Sequence, residues 1–173
     1  YRRVRNTIRF LLSNLNGFDP AKDAVPFDKM VELDKWAVSL TSKVQKELLK
    51  YYDDYDFHMV VQSIMHFCSI ELGSFYLDII KDRLYCEKED SQLRRAAQTT
   101  MYRILSAVAR LAAPIISFTA EEIWQFMPHT SADDTQSVFL NTMPEKSGID
   151  FDGEFVDKWS FISSVRESAN KVL

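Results

Sequence analysis

Arg2, Arg3, Arg5 and Arg9 crowd the first ten residues, and no acid accompanies them. If residues 1–15 are helical, Arg2, Arg5, Asn6, Arg9, Ser13 and Asn16 fall within an arc of roughly 100°. Val4, Ile8, Leu11, Leu12 and Leu15 occupy the opposite face. A polar stripe on an ordinary amphipathic helix mixes acids with its bases; this one has none. Like charges three and four residues apart destabilise a helix, and a track of phosphates relieves that repulsion. Two readings stand: Arg2, Arg5 and Arg9 contact the phosphates or bases of an RNA, or the stripe is a solvated face that pairs with acids elsewhere.

A second basic group, Lys81, Arg83, Lys88, Arg94 and Arg95, is interleaved with Asp82, Glu87, Glu89 and Asp90. Its charge nearly cancels, so it reads equally as an RNA flank or as surface ion pairs. Tyr102, Phe10 and Tyr85 are candidate stacking surfaces; helical spacing sends Trp36, Phe57, Phe67 and Trp124 to the core.

Other chemistry finds little support. His58, His66 and His129 belong to no H-E-x-x-H or E-x-x-H pattern, so no metal site is expected. His66 reads as a structural residue among packing neighbours. The glycines fall singly at 17, 73, 148 and 153, which leaves no phosphate loop. Glu121 and Glu122 sit in the first turn of an expected helix, where the macrodipole favours acids, and a catalytic pair is the weaker reading. Cys68 and Cys86 lack any C-x-x-C framework, and a reducing, cytoplasmic setting is expected. No catalytic residue is expected.

The elements that must carry these groups are helices. Apolar residues recur at helical spacing over 1–15, closed by Asn16-Gly17, and over 32–52 through Leu33, Trp36, Leu40, Val44, Leu48 and Leu49. Asp53-Asp54-Tyr55-Asp56 breaks the chain and offers an N-cap to a helix over 57–72. Gly73 marks a kink or break before 75–85. Another helix spans 91–113 and stops at Pro114. Thr119 and Glu122 form a capping box, with Phe118 and Ile123 as its staple. From Pro128 to Gly153 the pattern fails, apart from the strand-like Val138-Phe139-Leu140, and a last helix begins near Phe155. The expected fold is all-α, an antiparallel helical bundle: 1–128 the bundle, 129–154 an irregular acidic connection, 155–173 a further helix of the same domain.

The 173 residues suit one domain. Four glycines and five prolines are few, which favours long helices. The net charge of −4 is unevenly spread. Residues 119–157 carry Glu121, Glu122, Asp133, Asp134, Glu145, Asp150, Asp152, Glu154 and Asp157 against Lys146 alone. An acidic total does not exclude an RNA partner, because binding depends on where the positive charge sits. No apolar run is long enough to span a bilayer, so no membrane partner is expected. A chain that opens on Tyr1 and stops inside a helical pattern reads as a piece of a longer polypeptide.

The segments YRRVRNTIRFLLSNLNGFDP at 1–20, ELDKWAV at 32–38, YDFHMVVQSI at 55–64 and ELGSFYLDIIKDRLY at 71–85 run in an order that carries a resemblance, continued by RRAAQTTMYRIL at 94–105 and LAAPIISFTAEEIWQFMP at 111–128. Together they resemble the anticodon-binding domain of class Ia isoleucyl-tRNA synthetases. Arg-Asn-x-x-Arg-Phe and Ala-Pro-x-x-x-x-Thr-Ala-Glu-Glu-x-Trp are similar to valyl and leucyl enzymes too; Phe75–Arg83 favours the isoleucyl family. The resemblance implies a parent that uses ATP and magnesium to join isoleucine to its tRNA. Its HIGH-type and KMSKS-type nucleotide motifs are missing here, as is the cysteine-rich zinc element found in many members. This chain is therefore expected to hold tRNA as a monomer, without a cofactor of its own and without aminoacylating. The resemblance also implies that Asn6 reads a base edge and that Lys81, Arg83, Lys88, Arg94 and Arg95 flank the anticodon loop. A helical protein-interaction module using the acidic 129–157 region, or a metal-bearing bundle enzyme, are the rival classes.

Overall fold

The computed structural model describes residues 1–144 and 152–171. Glu145, Lys146, Gly148 and Asp150, named in the charge and glycine patterns, lie outside the described residues. Among the described residues seven α-helices occur in order: α1 (Arg2–Ser13), α2 (Glu32–Asp53), α3 (Phe57–His66), α4 (Leu77–Cys86), α5 (Gln92–Ala112), α6 (Ser117–Phe126) and α7 (Gly153–Asn170). A π-helix, Phe67–Tyr76, joins α3 to α4, and short 3₁₀ turns occur at Phe27–Lys29 and Val138–Leu140. Among the described residues there is no strand.

α5 is the central post, buried on almost every side. Small residues make that possible: Ala96, Ala97, Ala107, Ala109 and Ala112 let neighbouring backbones approach closely. Its buried Gln98 and Thr99 side chains are hydrogen-bonded, as burial demands. Thr99 donates to the Arg95 carbonyl at 2.7 Å and accepts the Val25 amide at 3.0 Å. Gln98 donates to the Asn14 carbonyl at 3.0 Å.

Contacts at both ends of α5 fix the helix directions. Thr100 meets Met30, just before α2, and Tyr52 near the end of α2 donates to the Leu111 carbonyl at 2.6 Å. α2 and α5 therefore run the same way. α1 runs the other way, with Asn14 against Gln98 and Val4 beside Ala112. So does the α3–π–α4 rod, with Ile64 beside Ala112 and the Glu87 carbonyl accepting from Arg94. α1, α2, the α3–π–α4 rod and α5 thus alternate in direction, an antiparallel all-α bundle.

Several local expectations are corrected. The helix over 57–72 does not break at Gly73; it widens into the π-helix and continues into α4. Asp56 precedes α3 without a side-chain cap bond, and the sharp turn falls on Tyr55, at φ 60°. α6 starts at Ser117, not Thr119, with no side-chain cap. Ile116 accepts the first amide, from Ala120, so the helix that follows the Pro114 turn is already under way at Thr119. Thr119 instead shares a hydrogen bond with the Tyr1 hydroxyl at 2.9 Å, and Phe118 is 95% exposed, so no staple forms.

Val138–Leu140 has no neighbouring strand to pair with and forms a 3₁₀ turn whose Val138 alone is buried. Phe57, expected in the core, is half exposed at the first turn of α3, which buries Val60 and Ile64 instead. Trp124 is fully buried, and Phe67 is in the core. Trp36 is only partly buried, because α2 turns Asp34, Ala37, Thr41, Val44 and Leu48 inward. It stacks on Trp159 of α7 with centroids 5.2 Å apart and meets Phe75 edge-on at 4.9 Å.

Candidate nucleic-acid interface

α1 places its arginines as the helical wheel requires. Val4, Thr7, Ile8 and Leu11 are buried, while Arg2, Arg3, Arg5, Asn6, Arg9, Ser13 and Asn16 are exposed. Among the described residues, no carboxylate or carbonyl partners the side chains of Arg2, Arg5 or Arg9. The helix ends at Ser13, and the turn that follows closes at Gly17 with φ 71°, a left-handed conformation that glycine adopts without strain.

The second basic group is built differently. Arg83 forms a two-pronged ion pair with Asp34, at 2.8 and 3.0 Å, and Asp34 is completely buried. The buried Tyr76 hydroxyl donates to the same carboxylate at 2.8 Å. These bonds tie the first turn of α2 to the π-helix and α4. The sequence reading missed this network; its one signal was an acid at position 34 on the side of α2 that carries Ala37, Val38, Val44 and Leu48. Arg94 donates to the Glu87 carbonyl at 3.3 Å and its backbone amide is capped by Ser91, so it closes the α4–α5 corner. Arg95 donates to the Gly17 carbonyl at 3.1 Å and to Gln98 at 2.9 Å, with Asp23 3.5 Å away. Lys81 pairs with Asp78 one turn back at 2.8 Å, on the surface. Lys88 is exposed.

The structure thus brings Arg95 to the C-terminal end of the α1 stripe, through Gly17, and sets Lys88 at the neighbouring corner. It leaves Lys81 and Arg83 on α4, which packs on α5 and the π-helix. Of the candidate stacking rings, Tyr85 is exposed. Phe10 packs partly against the core. Tyr102 lies against Phe18 with centroids 6.0 Å apart, and burial pushes its hydroxyl up to about 12.

Two acids of the acidic region, Glu121 and Asp133, hold its own loop. Glu121 accepts from the Ser137 hydroxyl at 2.8 Å, the Val138 amide at 3.1 Å and Gln125 at 3.0 Å. Asp133 accepts from the Thr130 amide and hydroxyl, each at 2.8 Å, and pairs with Arg110. The Arg110 guanidinium lies over the buried Trp124 ring, 5.1 Å from its centroid, and Trp124 donates to the Asp134 carbonyl at 2.9 Å. His129 shares a 2.8 Å hydrogen bond with the Trp124 carbonyl. His66 is not among packing residues; its side chain is 63% exposed, 4.0 Å from Glu71. Cys68 is buried and Cys86 exposed, and no disulfide joins them. Among the described residues no three His, Cys, Asp or Glu side chains gather as a metal site, and no helix is long and apolar enough to cross a membrane.

The fold is thus an all-α bundle with one arginine face that is unpartnered among the described residues. Residues 34–172 match the family model described as the anticodon-binding domain of tRNA ligase, and the chain belongs to that family. The isoleucine–tRNA ligase of Pectobacterium carotovorum subsp. carotovorum (strain PC1) is 53% identical over 175 residues, covering 100% of this chain and 18% of the relative. That of Coxiella burnetii (strain Dugway 5J108-111) is 51% identical, again covering 100% and 18%. The Haemophilus influenzae (strain ATCC 51907 / DSM 11121 / KW20 / Rd) ligase is 50% identical, covering 100% and 19%. The chain therefore spans about a fifth of the length of these relatives. The family match begins at Asp34, beyond α1, whereas the similarity to the ligases includes the arginine stripe.

Proposed function

We propose that this chain holds the anticodon stem-loop of an isoleucine-accepting tRNA, as one part of an isoleucine–tRNA ligase. The observation that carries the reading is the α1 stripe: arginines exposed along one helix, unpartnered among the described residues, in a family of anticodon-binding domains. Arg2, Arg5 and Arg9 hold backbone phosphates or stack as planar cations, and the Asn6 amide reads the edge of a splayed base. Lys88, Lys81 and Tyr85 offer a second flank. Arg94 and Arg95 shape the corner beside it, and Arg83 supports it through Asp34.

The division into a bundle over 1–128, a connection over 129–154 and a further helix over 155–173 of the same domain belongs to this reading. So do a cytoplasmic location and a monomeric chain. The ATP and magnesium of the ligation reaction, and any zinc, are assigned to parts of the protein other than this chain, which has no phosphate loop. The rival reading as an acidic protein-docking module is weakened by the internal bonds of Glu121 and Asp133.

Binding of isolated stem-loop RNAs carrying isoleucine or unrelated anticodons, measured at several salt concentrations, tests the proposal. The expected result is preferential binding of the isoleucine stem-loop, with affinity that falls as salt rises. Equal binding of all stem-loops, or none at low salt, refutes it.

A further inference from the structure

α1 rests on the bundle mainly through Val4, Ile8 and Leu11, and apolar contact is non-directional: it holds a helix down without fixing its rotation. Hydrogen bonds do fix rotation, because they depend on angle as well as distance. The two ends of α1 are pinned in this way, by Tyr1 on Thr119 and by Gln98 on the Asn14 carbonyl. Along the helix body, among the described residues, one side chain makes a directional bond to another element. Thr7 is buried and donates to the Cys68 carbonyl at 2.9 Å.

That carbonyl belongs to the π-helix. In an α-helix a backbone carbonyl is engaged by the amide four residues on and lies along the rod; the wider π turn changes that alignment, and such turns recur at functional sites. Gly73 makes the turn possible. A Cβ at position 73 would sit 2.9 Å from the Cys68 oxygen and 3.7 Å from the Thr7 hydroxyl oxygen. The first contact is with backbone, so the π turn itself would have to shift. The Gly73 of the sequence reading is therefore no break in the helix but the clearance that lets the Cys68 carbonyl meet Thr7.

We propose that Thr7, the Cys68 carbonyl and Gly73 form a positioning device that sets the rotation of α1 and so aims Asn6 and Arg9 at the RNA. Thr7 lies between those two residues on the opposite face, so a rotation of the helix about its axis moves both. This inference rests on the proposed anticodon recognition. Thr7 and Gly73 touch no RNA themselves and act through the neighbouring stripe.

The test compares Thr7→Val, Thr7→Ser and Gly73→Ala in the full-length protein. Isoleucine and mismatched stem-loop RNAs are the probes, at two salt concentrations, with hydrogen exchange of the α1 and α5 amides in the free protein. Thr7→Val keeps the volume and removes the donor. It should narrow the preference for the isoleucine stem-loop by roughly 3- to 10-fold, the range one hydrogen bond commands. The salt dependence should change far less than on removal of an arginine, since all the charges remain. α1 amides should exchange faster by a similar factor while α5 amides do not change. Gly73→Ala should act in the same direction, and Thr7→Ser should restore parent behaviour. Equal weakening towards both RNAs, or failure of Ser to rescue, overturns the proposal. If the parent shows no RNA preference, the proposed function fails on its own terms. The exchange data then decide the positioning claim alone: unchanged α1 exchange in Thr7→Val overturns it.

Discussion

The α1 stripe and the α4–α5 basic group contain the same kinds of side chain and differ in what answers them. Arg83 reaches a buried carboxylate on α2, Arg94 and Arg95 reach backbone carbonyls of neighbouring turns, and Lys81 has Asp78 a turn away. Arg2, Arg5 and Arg9 have no such partner among the described residues. Basic clusters are thus told apart by three-dimensional satisfaction rather than by composition. A guanidinium whose donors are already used on the protein is structural, and one left open has donors to offer a phosphate.

The sharpest way to break this contrast is to remove one arginine from each region. Arg83→Ala leaves the Asp34 charge buried and unpaired, and should cost about 3–5 kcal/mol in a denaturant unfolding experiment. Arg5→Ala should leave the unfolding midpoint where it is, as surface substitutions usually do. A neutral Arg83→Ala would mean that the pair is not structural and that Arg83 is available to RNA. Next in size is the binding effect. Replacing Arg2, Arg5 and Arg9 together by Ala should lower the slope of log affinity against log salt by roughly 2–3, at 0.7–0.9 per lost phosphate contact. A Lys81→Ala, Lys88→Ala double variant should change it less; the reverse order would move the interface to α4. Smaller again is Asn6→Ala, which should remove about 1–3 kcal/mol of discrimination between anticodons and leave the salt slope intact.

How much of this was legible in the sequence follows from the distance over which each feature is decided. The α1 stripe depends on neighbours within four turns of one helix, so periodicity and the absence of acids displayed it in full. The all-helical bundle was legible for the same reason. The partner of Arg83 lies 49 residues away, and the nearby Asp82, Glu87, Glu89 and Asp90 drew attention from it. The acid at position 34 was visible, but its burial depends on which face of α2 meets α5. The expected apolar stripe through Leu33 and Trp36 is displaced towards Ala37 because α2 packs on α5 with one side and on Phe75 and Trp159 with another. At Thr119 a genuine capping pattern was overridden by the Pro114 turn. At Gly73 a residue that usually weakens helices leaves room beside the Cys68 carbonyl of its own π turn and the Thr7 hydroxyl, which single-sequence patterns do not encode.

Acid offers a gentler way to sharpen the comparison, because it neutralises the carboxylates that answer Arg83 and Arg110 and leaves the α1 arginines untouched. The Arg110–Asp133 pair is the suitable probe. Burial opposes the charge on Asp133, but the Thr130 amide and hydroxyl, with Arg110, outweigh it and hold the carboxyl below its ordinary 3.8. A carboxyl lowered in the folded state stabilises fully above its unfolded value and loses that contribution as pH falls through the folded one. The 130–134 turn should therefore hold down to about pH 4 and loosen only below it. Trp124 reports the event, since Arg110 lies over its ring and the Asp134 carbonyl accepts its indole hydrogen. In a Trp36→Phe, Trp159→Phe background, its fluorescence should change below that pH. Asp133→Asn should show the altered signal already at neutral pH, with no further acid step from this pair. Far-ultraviolet circular dichroism followed in parallel separates loosening of the turn from global acid unfolding. A fluorescence step centred well above pH 4, or one that survives in Asp133→Asn, would assign the transition to another group and remove Arg110 from the paired set.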